Sequence, residues 1–240
     1  MTIRINKYLA SIGVAARRKI DELIARGQIA VNGQPAEMGQ QVDPQLDAIT
    51  VRGKEVVSHD QPLVYFAINK PVGVVSTVSD PLGRKTVLSL VPTKYRVFPV
   101  GRLDVESRGL LLLTNDGALT QALTHPRHHV PKRYKVVVTG ELSDKALFRF
   151  RTGVPLKHER MLPSEVFVLE RTPSSATIEI VLTEGRNRQI RRMCQALNLE
   201  VTDLRRVSVG SIELDELEEG SYRELTEEEV SDLKAQAGAA

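Results

Sequence analysis

The run "GLLLL", residues 109–113, constrains the fold of this chain more than any other segment. Four consecutive leucines between a glycine and an Asn-Asp-Gly turn have no polar face, so they predict a strand buried on both sides. Just before it, "VGRLDVES" places Arg102 and Asp104 two residues apart at the mouth of that strand. A carboxylate there stands close to low dielectric, where an unpaired charge is costly. Asp104 is therefore either a structural group satisfied by Arg102 or a carboxylate kept for chemistry.

The 240 residues are 41% hydrophobic, enough for one large core or two smaller ones. The formal charge is only +3, but residues 213–232 hold ten acidic side chains and one basic, leaving +12 on the rest. A basic body with a local acidic segment suggests a polyanionic partner, or else a solvated basic surface. No apolar run approaches a membrane span, and "MTIRINKYLA" lacks a signal-peptide core, so a cytoplasmic, membrane-free protein is expected. The single Cys194 excludes an internal disulfide and a cysteine-rich zinc site.

Along the first sixty residues, "INKYLASIG" and "ARRKIDELIARG" carry apolar residues at helical spacing and stop at glycines. "IAVNGQPA" predicts a hairpin at Asn-Gly, and "AITVRGKEV" a second strand pair around Arg52 and Gly53. The three cations Arg17, Arg18 and Lys19 load a helix start that prefers anions, which suits a bound phosphate or plain surface charge. Residues 4–42 as a whole resemble an S4 RNA-binding domain. That resemblance implies RNA contacts from Arg4, Lys7, Arg17, Arg18 and Lys19. The polar "SHDQP", residues 58–62, predicts a linker, giving domains of 1–60 and 61–240.

The second part reads as strands clustered with helices without strict alternation, which argues for an α+β fold. Strands are expected at "LVYFAINKP", "RYKVVVTG" and "ATIEIVLTEG". Helices are expected at "DGALTQALTHP" with Asp116 as cap, "SDKALFRFRTG" with Ser143 as cap, "RNRQIRRMCQALN" and "TEEEVSDLKAQ". The last carries a Thr226/Glu229 capping box and is expected to be a solvated acidic helix. On a helix counted from Asn187, residues Ile190, Met193, Cys194 and Leu197 form an apolar face, with Arg188 and Arg192 opposite it and Arg191 on the border.

Three segments stand out: "NKPVG", residues 69–73; "GRLDVESRGLLLLTNDG"; and "LTEGRNRQIRRM", residues 182–193. In order and spacing they resemble the three motifs of the ribosomal RNA pseudouridine synthases, within the S4-bearing RsuA/RluB/RluF branch. The resemblance implies an S4 module followed by a mainly antiparallel mixed-sheet catalytic domain. It implies Asp104 as the catalytic aspartate, Tyr134 as the residue stacking on the target base, and Arg191 as the ion-pair partner of Asp104. Arg102, Lys70, Asn187, Arg188 and Leu204 are then expected around the substrate, and Arg192 on the RNA.

No cofactor or metal is implied, because the isomerisation has no redox step. The histidines of "HPRHH", residues 125–129, lack flanking ligands and suit a phosphate-contacting or surface loop better than a metal. The missing Walker and G-x-G-x-x-G loops argue against nucleotide cofactors and a methyltransferase. The expected partner is ribosomal RNA or an assembly intermediate containing it, bound by a monomer. A non-catalytic RNA-binding assembly factor is the competitor from another class. "NKPVGVVST" and "NRQIRRMC" look RluF-like, "DPLGRKTV" looks RluB-like, and "GSYRELTEEEV" is close to the small-subunit enzyme. Large-subunit 23S RNA is favoured, with 16S RNA as the alternative.

Overall fold

The computed structural model describes residues 2–56, 61–156 and 159–238. Most of the expected linker, residues 58–60, lies outside them. The chain divides into two compact units: the first runs to Leu63 and takes in Lys94–Arg96, and the second holds Val64–Thr93 and the chain from Val97 onward.

In the first unit, helices Ile5–Ser11 and Arg17–Ala25 pack through Ile5, Leu9 and Ile20, all fully buried, onto Ile29 of a four-stranded sheet. Ile29–Val31 turns back to Gln34–Pro35 through Asn32 and Gly33, both at positive φ (52° and 79°). Ile49–Val51 does the same to Lys54–Glu55 through Arg52 and Gly53. Two positive φ values in a two-residue loop match the right-handed twist of the strands, which is why Asn-Gly and Arg-Gly were legible as hairpins.

The second unit is built on a nine-stranded sheet. Its main path runs Glu165–Arg171, Ser175–Leu182, Lys132–Thr139, Glu200–Val209, Arg108–Thr114, Tyr65–Lys70 and Tyr222–Glu224. Neighbours are antiparallel except where Glu200–Val209 meets Arg108–Thr114. The α+β, mainly antiparallel expectation therefore holds. Leu110 and Leu112 enter one core with Leu119 and Leu123 of helix Gly117–Thr124, while Leu111 and Leu113 face the other side, and all four are buried. Burying one leucine stabilises by about 1.5–3 kcal/mol, so this strand holds its place firmly and anchors the loop before it.

The parallel contact depends on Gly109. Its φ is 105°, and a β-carbon there would lie 2.3 Å from the carbonyl oxygen of Arg206. The row Tyr134, Arg206, Gly109 and Lys70 thereby crosses four adjacent strands in register on one face of the sheet.

The acidic C-terminal segment departs from its expectation as a solvated helix. Glu227–Gln236 has its capping box, but Leu233 and the following Ala237 are fully buried in the core beside the leucine strand. Two apolar residues four apart form a stripe narrow enough to be masked by the acidic residues around it.

Candidate active site

A cavity of about 390 Å³ opens on the sheet face that carries Tyr134 and Arg206. Asp104, Tyr134, Leu204, Arg102, Asn187 and Arg188 all line it. Six of the expected catalytic and substrate residues, from four distant segments, thus meet in one place.

Asp104 belongs to a loop braced from several sides. The Ser76 hydroxyl donates to the Leu103 carbonyl at 2.9 Å and accepts from the Leu103 amide at 3.1 Å. Gly73 N–H donates to the Val105 carbonyl at 2.9 Å. Lys70 is fully buried, and its Nζ donates to the carbonyls of Ser107 (2.8 Å) and Pro71 (2.7 Å). The "NKPVG" segment is thus the brace of the Asp104 loop. Lys70 corrects the expectation of a substrate contact: burial takes it out of reach and pushes its ammonium down to about 8, while the charge of Asp104 pulls the other way.

The arginines correct a second expectation. The helix of the third motif spans Gln189–Ala196, so Asn187 and Arg188 precede it. Arg188 is its N-cap in the left-handed conformation, with φ 48° and ψ 35°. A helical wheel started at Asn187 misplaces this side chain, because the backbone reverses there. Arg188 Nη1 lies 2.8 Å from Glu106 Oε2 and 3.9 Å from Asp104 Oδ2. Arg188 holds the Glu106 carboxyl below the usual carboxylate range. Arg191 instead donates to the carbonyls of Val201 and Glu106, each at 3.2 Å, and does not line the cavity. It fastens the backbone two residues beyond Asp104, whereas Arg188 faces the carboxylate.

Arg102 is exposed and makes no ion pair with Asp104 among the described residues, so it does not cap that carboxylate. Arg192 is half-buried against Glu159, which also receives Arg186 at 2.5 Å. Leu204 and Tyr134 are buried on the cavity floor. His125 lines the cavity, and its side chain accepts from the Arg127 amide at 3.3 Å. Cys194 is buried on the apolar helix face, with its thiol pushed up to about 12. In the first unit, Arg4, Lys7, Arg17, Arg18 and Lys19 are all exposed, and Lys19 pairs with Glu22 at 2.8 Å.

Three residues of the site escaped the sequence reading. Glu184 accepts from Leu162 N, Gln189 Nε2 and Arg186 Nε, which ties the third motif to the loop before Glu165. Lys132 and Arg206 also line the cavity. Arg206 had a signal: it alternates with buried Leu204 and Ser208, so a charge occupies an inward position of a strand.

A small module with a cluster of exposed cations precedes a mixed-sheet domain whose cavity presents an aspartate, a tyrosine and arginines from separate segments, the makings of a nucleic-acid-modifying enzyme. Known proteins bear this out. The family model for RNA pseudouridylate synthase matches residues 64–196, and that for the S4 domain residues 3–46. An RNA pseudouridine synthase of Aquifex aeolicus is 38% identical over 97% of this chain and 94% of its own length. The ribosomal large subunit pseudouridine synthase B of Bacillus subtilis is 39% identical over 98% and 96%. The dual-specificity RNA pseudouridine synthase RluF of Escherichia coli is 35% identical over 97% and 78%. A crystal structure of a pseudouridylate synthase superposes with a TM-score of 0.71 at 29% identity, covering 96% of this chain and 99% of that one. The chain belongs to the RNA pseudouridine synthase family, with an N-terminal S4 domain. Among the described residues no helix is long and apolar enough to cross a membrane.

Proposed function

We propose that this enzyme converts a specific uridine of ribosomal RNA to pseudouridine, with large-subunit 23S RNA as the substrate. The observation that carries the reading is Asp104, a partly exposed carboxylate held on a braced loop in the cavity that Tyr134 and Leu204 floor. The match of almost the whole chain to the Bacillus subtilis large-subunit enzyme supports the choice of subunit.

The reaction detaches uracil from the ribose C1′ through N1, turns it, and rejoins it through C5. Asp104 serves either as nucleophile toward C1′ or as base toward a ribose proton. Both roles need it as a carboxylate, and the Arg188 guanidinium lies 3.9 Å from its Oδ2. Tyr134 packs against the base. A cavity of this kind admits only a nucleotide swung out of its stack, so the target uridine is flipped. The exposed cations of the first unit supply backbone affinity that weakens with salt.

Chemical mapping of pseudouridines in ribosomal RNA from a deletion strain tests this directly. One large-subunit site should vanish and return with the wild-type gene but not with Asp104→Asn. An unchanged 23S pattern, or loss of a 16S site instead, refutes the assignment of substrate.

A further inference from the structure

The cavity holds two cations that the roles above leave unused. Arg206 is 3% exposed; its Nε donates to the Leu110 carbonyl at 2.7 Å, and its Nη2 has no hydrogen-bond partner. Lys132 Nζ donates to the carbonyls of Val130 (2.9 Å) and Leu123 (3.3 Å). Neither meets a carboxylate among the described residues. Glu184, the cavity's other acid besides Asp104, is occupied by Leu162, Gln189 and Arg186. The two cations also sense each other: burial, and then the charge of Arg206, pushes Lys132 down to about 8.

A buried cation such as Arg206, or a half-buried one such as Lys132, is costly to keep without a counter-charge. The arginines nearer the solvent differ. Arg186 and Arg188 are exposed and already paired with glutamates. Arg206 lies directly across from Tyr134 in the sheet, on the floor of the cavity, where a base rather than a backbone phosphate would rest.

We infer that Arg206 and Lys132 form an anion-stabilising pair that holds the uracil ring while it carries the negative charge of the broken glycosidic bond. This rests on the reading of the cavity as the uridine site. When the C1′–N1 bond breaks, its electron pair stays on uracil and spreads over N1, O2 and O4. The ribose is balanced by a bond from the Asp104 carboxylate or by loss of a ribose proton to it. The same electron density then forms the C5–C1′ bond, as the Asp104 carboxylate leaves C1′ or hands the proton back to the ribose; the C5 proton is lost last to solvent, and N1 takes one up. Fixed donors aimed at charge that exists only during the reaction are the form of electrostatic catalysis that lowers a barrier most. Arg206 and Lys132 contact the base in this scheme and are catalytic residues, where Asp104 serves the sugar.

The test is binding of free bases by the intact enzyme, followed by calorimetry. Uracil is neutral at neutral pH, thymine is neutral with added bulk at C5, and 5-nitrouracil is ionised. The wild-type enzyme should bind 5-nitrouracil at least tenfold tighter than uracil, with thymine no tighter than uracil. Lys132→Met and Arg206→Gln should each cut that preference several-fold, and Arg206→Lys should largely keep it. Lys132 is only partly buried, so its variant decides the matter even if Arg206→Gln fails to fold. Equal affinity for anion and neutral base, a matching gain with thymine, or an unchanged preference in Lys132→Met overturns the pair while leaving the cavity a uracil site. No binding of any base overturns both the pair and that reading of the cavity.

Discussion

Asp104→Asn keeps the shape of the side chain and removes only its charge. Isomerisation in single turnover should fall below detection while RNA affinity stays within about twofold, as filter binding would show. Lys70 makes a different kind of expectation, because it is buried and bonded only to carbonyls. Lys70→Met orphans two acceptors and should lower stability by about 2–4 kcal/mol in urea melts. Its pH dependence has a definite sign. Folding lowers the Lys70 value from 10.5 to about 8, so between those values the unfolded chain binds more protons. The cost of burying the ammonium is therefore complete below pH 8 and is relieved as pH rises toward 10.5. The advantage of wild type over Lys70→Met should grow across that window, by up to about 1.4 kcal/mol per pH unit. A flat difference would show that Lys70 titrates normally. The residue type was legible from "NKPVG"; its burial was not, since a lysine at a strand end reads equally as a surface cation.

At the scale of elements, two arginines of one motif serve different masters. Arg188→Ala removes the guanidinium that faces Asp104, and Arg191→Ala removes the clasp on the Glu106 carbonyl. Both should slow single turnover. Arg191→Lys should restore little, because one ammonium cannot bridge the carbonyls of Val201 and Glu106 as a guanidinium fork does. Arg188→Lys, which keeps a positive charge beside Asp104, should recover more. Helical periodicity predicted the buried Ile190, Met193 and Cys194 correctly, yet it failed one turn earlier. A left-handed N-cap leaves no mark in apolar spacing. Gly109 shows the same limit on the strand side. Gly109→Ala should cost about 3 kcal/mol or more, because the added carbon meets backbone rather than a movable side chain. A melting curve close to wild type would mean that the parallel strands can separate slightly at no cost.

At the scale of the molecule, each unit has its own buried core, and because residues 1–63 carry a net charge of only +1, the first unit's attraction for RNA rests on a local cluster of cations. Replacing Arg17, Arg18 and Lys19 together by alanine should leave isomerisation of saturating RNA intact and weaken RNA capture. The slope of log affinity against log salt should become shallower by about 0.7–0.9 for each phosphate that the variant no longer neutralises. An unchanged slope would show that this helix start does not touch RNA. Leu233→Ala should destabilise the second unit by about 2–5 kcal/mol, since the C-terminal helix is part of its core.

The sequence by itself determined the two-part organisation, the hairpins at Asn32-Gly33 and Arg52-Gly53, the doubly buried leucine strand and the family motifs around Asp104. Those features are local: periodicity, turn residues and motif spacing act over short stretches of chain. Only the tertiary structure decided that Lys70 braces rather than binds, that Arg188 faces Asp104, and that Arg206 and Lys132 share its cavity. Those facts depend on which strands pair across the chain and on one backbone reversal, and side-chain chemistry constrains neither until the sheet has formed.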